Sequence, residues 1–203
     1  LASGGNDNAV RLWDVAARRA RHTVGLAAPA RGVAFSPDGR LLAVATGSTN
    51  VIPGDAVRPG EVVLCDVGTD AVVDTVRGLP ADMRGPAWSR DGKTLVVAAG
   101  NDVRVLDAAT RRERFTLRGH ASLVWSLAVS PDGTTLAAAG WDGTVRLWDL
   151  SDGRPRATIP AHADQAHAVA FSPDGRTLIT GGKDGRHGAV RLWKVPQPAG
   201  RGE

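Results

Sequence analysis

The chain is predicted to be all-β, built from about five copies of one unit of four short antiparallel strands. Three observations predict this. The phrase Asp-Gly-Thr-Val-Arg-Leu-Trp-Asp at 142–149 returns as Asp-Asn-Ala-Val-Arg-Leu-Trp-Asp at 7–14 and as Ala-Val-Arg-Leu-Trp-Lys at 189–194. The phrase Phe-Ser-Pro-Asp-Gly stands at 35–39 and 171–175, with Val-Ser-Pro-Asp-Gly at 129–133 between them. Both recur at a steady interval. Ser36, Ser89, Ser130 and Ser172 are 53, 41 and 42 residues apart, and Trp13, Cys65, Leu106, Trp148 and Trp193 are 52, 41, 42 and 45 apart.

Within a unit the strands follow in order. Leu127-Ala128-Val129 and Ala168-Val169-Ala170-Phe171 are short apolar runs, each closed by Ser-Pro-Asp-Gly. That tetrapeptide suits a turn, because Pro presets φ, Asp bonds its own backbone and Gly accepts a positive φ. Leu136-Ala137-Ala138-Ala139-Gly140 makes the second strand. An alternating run at 144–149 makes the third, and another, seen at 114–117, the fourth. Turn signals every 8–12 residues fit four short strands per unit.

A Gly-His pair, Gly119-His120, precedes Asp142 by 22 residues, and His162 precedes Asp184 by the same interval. Gly-His, Ser-Pro-Asp-Gly and Val-Arg-Leu-Trp-Asp in fixed order resemble the WD-repeat family of β-propellers, of the kind found in bacteria. The resemblance covers roughly residues 1–195. It implies a propeller of four-stranded blades, strands a to d running outward, at about 1–26, 27–77, 78–118, 119–160 and 161–195. Leu1-Ala2-Ser3-Gly4 matches strand b and Trp193 closes a strand c. The first and last blades are therefore expected to be incomplete, and the chain an open excerpt of a larger ring with further blades or domains N-terminal to it. Unpaired strand edges template association, so the isolated 203-residue piece is expected to self-associate.

The resemblance also implies a buried hydrogen-bond set in each blade: His from the d–a loop, Ser or Thr from strand b, Asp from the b–c turn and Trp from strand c. A buried Asp needs several donors, and the His, hydroxyl and indole supply a chain of them. The fifth repeat has His162, Thr180, Asp184 and Trp193. The fourth has His120, Asp142 and Trp148, with Ala138 at the hydroxyl position. The first has Ser3, Asp7 and Trp13. In the second and third, Leu26 and Leu79 replace His while Cys65 and Leu106 replace Trp. Both ends of the set turn apolar together, as they should if half a buried network is worse than none. His120 and His162 are read as structural and not catalytic. Trp13, Trp148 and Trp193 are read as core, as is Trp88, which stands where Phe35 and Phe171 stand.

Two tryptophans fall outside the repeat. Trp141 precedes Asp142 in a b–c turn, where Asn6 and Lys183 stand in other repeats. Trp125 begins a strand a, where His167 is its counterpart. In the family the b–c turns and d–a loops share one rim, so a partner-binding surface is expected from Trp141, Trp125, Lys183, Asn6, His167, Gln165, Arg186 and His187. Two insertions fall in b–c loops, one at roughly 47–60 and the other Arg186-His187-Gly188. Loops on a rigid scaffold commonly carry specificity.

Composition bounds the rest. A net charge of +4 comes from 25 Lys and Arg against 21 Asp and Glu, with Lys only at 93, 183 and 194. The Arg residues alternate with carboxylates through strands and turns, which disfavours a nucleic-acid surface. No 18-residue apolar run predicts a membrane span. A single cysteine, Cys65, excludes an internal disulfide framework and suits the cytoplasm. No phosphate-binding Gly-rich pattern is present, and neither a cofactor nor a metal is expected. His162, Asp164 and His167 are close in sequence, but the first is committed to the blade. Residues 196–203 read as a disordered tail. The function expected is a non-catalytic scaffold for a protein or peptide partner, part of a larger signalling or regulatory protein. A propeller hydrolase or lactonase with a site at the channel mouth is the alternative, and Arg-mediated nucleic-acid binding the second.

Overall fold

The computed structural model describes residues 1–47, 59–80 and 82–195. They form five antiparallel sheets of three or four strands and no helix, the make-up of WD-type propeller blades. Residues 48–58 of the first insertion and the tail at 196–203 lie outside the described residues.

The chain divides into two compact units, Leu1–Gly119 and His120–Glu203. The first holds three sheets. β1 (Ala2–Gly4), β2 (Ala9–Asp14) and β3 (Arg19–Gly25) form a three-stranded sheet. β4 (Ala30–Phe35), β5 (Leu41–Thr46), β6 (Gly60–Asp66) and β7 (Val72–Leu79) form the next. β8 (Met83–Trp88), β9 (Thr94–Ala99), β10 (Asp102–Asp107) and β11 (Glu113–Leu117) form the third. The second unit holds a four-stranded sheet of β12 (Val124–Val129), β13 (Thr135–Gly140), β14 (Thr144–Asp149) and β15 (Pro155–Pro160). Beside it lies a three-stranded sheet of β16 (Gln165–Phe171), β17 (Thr177–Asp184) and β18 (His187–Lys194).

The Ser-x-Asp-Gly turn is built identically each time. Ser36 Oγ donates to Asp38 Oδ1 at 2.6 Å, and the amides of Arg40 and Leu41 return to Asp38 and Ser36. The same bonds recur at Ser89, Ser130 and Ser172. The glycines of the four turns have φ between +70° and +75°, which a Cβ would disfavour. The third repeat carries Arg90 in place of Pro, so Pro assists this turn without being needed for it.

Sheets stack through apolar residues that alternate along strands b and c. In the first unit Val10 and Leu12 pack with Leu42 and Val44, and Val62 and Leu64 with Leu95 and Val97. In the second, Val145 and Leu147 pack with Ala166, Val169 and Leu178. Leu26, Val44 and Cys65 share one cluster, while Leu79, Val97 and Leu106 share another. The repeats without His and Trp thus fill that space with aliphatic side chains.

The terminal sheets differ. Val190 and Leu192, counterparts of Val145 and Leu147, are each 70% exposed, and Trp13 is 36% exposed. Reading Trp13 as core therefore needs correction. Its face of the β1–β3 sheet has no neighbouring sheet in its unit. Phe35 is likewise 39% exposed, because that sheet starts at strand b and offers β4 no innermost strand to pack on. Trp88 is half-buried against its cluster, its indole donating to the Ala34 carbonyl.

The second insertion is not a loop. It lengthens β17 and β18 to eight residues each, with Asp184 paired to His187 across a two-residue turn, Gly185-Arg186. The result is a projecting hairpin in place of a longer connection.

Candidate functional site

In the fifth repeat the four expected residues meet around Thr180, which is fully buried. Its hydroxyl accepts from Trp193 Nε1 at 3.1 Å and lies 3.1 Å from His162 Nε2. Asp184 Oδ1 stays 3.7 Å from His162 Nδ1, however, longer than a hydrogen bond. Arg191 comes between them. Its guanidinium is 2.9 Å from His162 Nδ1 and holds the Asp184 carboxylate at 2.8 Å. Asp184 also accepts from the Ala163 amide. An arginine only donates, so His162 accepts at Nδ1 and carries its proton at Nε2, facing Thr180.

The fourth repeat reverses the ring. His120 Nδ1 lies 3.0–3.1 Å from both Asp142 oxygens, so this nitrogen holds the proton. Asp142 further accepts from Ala121 N and from Thr144 N and Oγ1. Nε2 points at the position where Ala138 lacks a hydroxyl, and it is buried without a hydrogen-bond partner. The Ala138 carbonyl is near enough to favour a charged ring but makes no hydrogen bond in good geometry. The Trp148 ring lies 5.8 Å away.

In the first repeat Trp13 Nε1 donates to Ser3 Oγ at 2.8 Å, and Asp7 turns to Arg11. Arg11 and Arg191 occupy the same place in the strand c phrase, so an Arg grips the turn Asp in two repeats. Sequence reading missed that Arg, although it stood in the repeated phrase. It also missed the glycines under the rings. A Cβ on Gly140 would lie 2.4 Å from His120 Nδ1, and one on Gly182 2.4 Å from His162 Cγ. Where Leu replaces His, the matching residues are Thr46 and Ala99.

Burial holds His120 below its ordinary pKa, against the opposing pull of Asp142. Burial, with Arg191 second, holds His162 low against Asp184. Both rings are neutral in the fold and take protons first in the unfolded chain. Their contribution to stability is complete above pH 6.5, the ordinary pKa of a histidine, and is lost as pH falls through the depressed folded values. The melting temperature is expected to fall between pH 7 and 5, and His162→Gln to flatten that slope. An unchanged melting temperature across this range would refute the assignment.

The rim of the second unit gathers most of the remaining expected residues. Trp125 and Trp141 stack, centroids 4.5 Å apart and planes 15° apart. His167 stands edge-on to both, at 5.8 and 6.2 Å, and its Nδ1 accepts from Trp141 Nε1 at 3.3 Å. His167 is the extra residue where the β16–β17 ladder shifts between Ala166 and Ala168. Gln165 pairs with Lys183 across that ladder. Arg186 forms the hairpin turn and His187 follows it, both exposed. Asn6 belongs to the first unit, where its side chain accepts from Arg31 at 2.8 Å. Among the described residues, no three His, Cys, Asp or Glu come together as a metal site, and no helix is long and apolar enough to cross a membrane.

These features define a protein of repeated antiparallel blades, the fifth stitched through a His, a hydroxyl and a Trp, with an aromatic cluster on one rim. Residues 111–149 and 153–194 match the WD40 family, the WD domain or G-beta repeat, and the chain is a WD-repeat protein. It is 33% identical over 112 residues, 55% of this chain and 29% of the relative, to an uncharacterized WD repeat-containing protein of Synechocystis. It is 31% identical over 160 residues, 71% of this chain and 34% of the relative, to Cell division cycle 20.6, cofactor of APC complex, of Arabidopsis thaliana. It is 27% identical over 151 residues, 71% of this chain and 23% of the relative, to Actin-interacting protein 1 of Drosophila melanogaster. The chain thus spans about a third or less of these relatives' length.

Proposed function

We propose that this chain is a non-catalytic interaction platform that binds a protein or peptide through the rim of b–c turns and d–a loops, within a larger regulatory protein of the cytoplasm. The observation that carries this is the half-buried stack of Trp125 and Trp141 against His167. Large aromatics at a surface are the residue type that most often anchors an interface. The extended β17–β18 hairpin sets further side chains beside them on a rigid element. Relatives named for an APC-complex cofactor and for actin interaction accord with this reading.

A catalytic role has less support. The two His–Asp pairs are the obvious candidates, but the side chains of His120 and His162 are 1% and 0% exposed. No substrate reaches either ring without opening a blade.

The test is capture on the immobilised chain. Trp141→Ala and Trp125→Ala are expected to abolish retention of the bound protein while costing about 2 kcal/mol of stability each, from the lost aromatic pair and the half-buried surface together. Retention unchanged alongside a large loss of stability would make both residues packing elements and remove this reading.

A further inference from the structure

We infer that the rim of the unit His120–Glu203 takes an acidic peptide segment, with an apolar side chain against the Trp125–Trp141 stack and carboxylates against Lys183 and Arg186. This rests on the rim reading above and adds the partner's chemistry. Three observations carry it.

The first is charge. Lys183 and Arg186 are exposed on the projecting hairpin, and neither makes an ion pair with a described residue. Asp164 is close by in the chain path, since its amide donates to the Lys183 carbonyl. Its carboxylate, however, takes the Gly185 amide at 2.6 Å and no cation. Asp184, the other carboxylate of this turn, is held by Arg191. The acids of this rim are thus bonded within the fold, while two of its cations are not.

The second is the tautomer of His167. Its Nδ1 accepts the Trp141 indole hydrogen, so the neutral ring carries a proton at Nε2. That N–H is a donor on the edge of the aromatic cluster, suited to a carboxylate or a peptide carbonyl.

The third is rigidity. The indoles stack on each other, and the hairpin closes through a two-residue turn with eight-residue strands. Little conformational entropy is left to lose on binding.

A nucleic acid fits less well. Electrostatic binding of a strand rests on a run of phosphate contacts, typically six or more, and on aromatic faces open to successive bases. Here two cations are on offer, and the indoles face one another.

The test uses fluorescence anisotropy with the 203-residue chain and three labelled probes. One is a peptide of roughly a dozen residues alternating Glu and Leu around a central Phe. The second replaces every Glu with Gln, and the third is an oligo-uridine of similar length. Exposed ion pairs are individually weak and screened by salt, so two cations should favour the Glu peptide over the Gln peptide by about tenfold at low salt. The double variant Lys183→Glu, Arg186→Glu is expected to erase that ratio at an unchanged melting temperature, and Trp141→Ala to weaken both peptides. Equal affinity for the two peptides, a ratio that survives charge reversal, preference for oligo-uridine, or no binding of the Glu peptide would each overturn the inference. The rim reading fails separately, if Trp141→Ala leaves the Gln peptide's affinity where it was.

Discussion

Trp148→Ala is expected to destabilise the unit His120–Glu203 by about 3–5 kcal/mol, the range for truncating a buried Trp. Trp148 is 2% exposed. It sits mid-sheet between Leu136 on β13 and Pro155 on β15, with the His120 ring beside it. At about 2–4 °C per kcal/mol for a chain of this size, the melting temperature should fall by roughly 10 °C. The informative control is Trp13→Ala, which removes the same residue from the same phrase. Trp13 is 36% exposed, and its indole bonds a half-buried Ser3. Less apolar surface returns to water there, and the expected loss is about 1–2 kcal/mol. Equal shifts for the two variants, measured by thermal unfolding, would refute the account of what each Trp contacts.

The contrast between those tryptophans marks how far sequence could reach. A repeat tells which residues are equivalent in strand position, and that equivalence held through the Ser-x-Asp-Gly turns and the strand c phrase. It does not tell whether a neighbour covers a given face. Trp13 and Trp148 read alike, as do Leu192 and Leu147, yet Trp148 is 2% exposed and Trp13 36%, Leu147 8% and Leu192 70%, so position in the strand does not set burial. The replacement of His and Trp by apolar residues in the second and third repeats was legible because both changes occur in the chain itself. So was a third change that went unread, from Gly140 and Gly182 to Thr46 and Ala99. The His ring needs the space of a missing Cβ, so the glycine travels with the His. Other features were not legible at all. Whether an Arg side chain lies along its strand or folds between His162 and Asp184 depends on rotamers, and neither composition nor spacing encodes it. Three extra residues, similarly, can bulge as a loop or lengthen two strands. The exposed hairpin ladder from Gly182–Ala189 to Asp184–His187 records the second outcome.

Thr180→Val should cost about 2–3 kcal/mol, and Ala138→Ser should return about 1 kcal/mol in the neighbouring blade. Valine keeps the shape of threonine and removes only the hydroxyl. Two donors, His162 Nε2 and Trp193 Nε1, then point at a methyl group, and the His side chain has no access to water. Leaving a buried donor unpaired costs more than its hydrogen bond contributed, which is why the loss exceeds the gain in the reverse experiment. Ala138 offers that reverse. It pairs with Arg146 across β13–β14 as Thr180 pairs with Arg191 across β17–β18. A serine hydroxyl there can donate to the unpartnered His120 Nε2 and accept from Trp148. The added atom meets a fully buried site, and the risk is overpacking. The fifth repeat argues against that outcome, because the same position holds a larger Thr without exposing its neighbours. A serine that lowers the melting temperature, together with a valine that leaves it unchanged, would show that the hydroxyl carries no stability in this fold. The opposite pair of shifts would show that the fourth repeat lacks one oxygen atom that the fifth has.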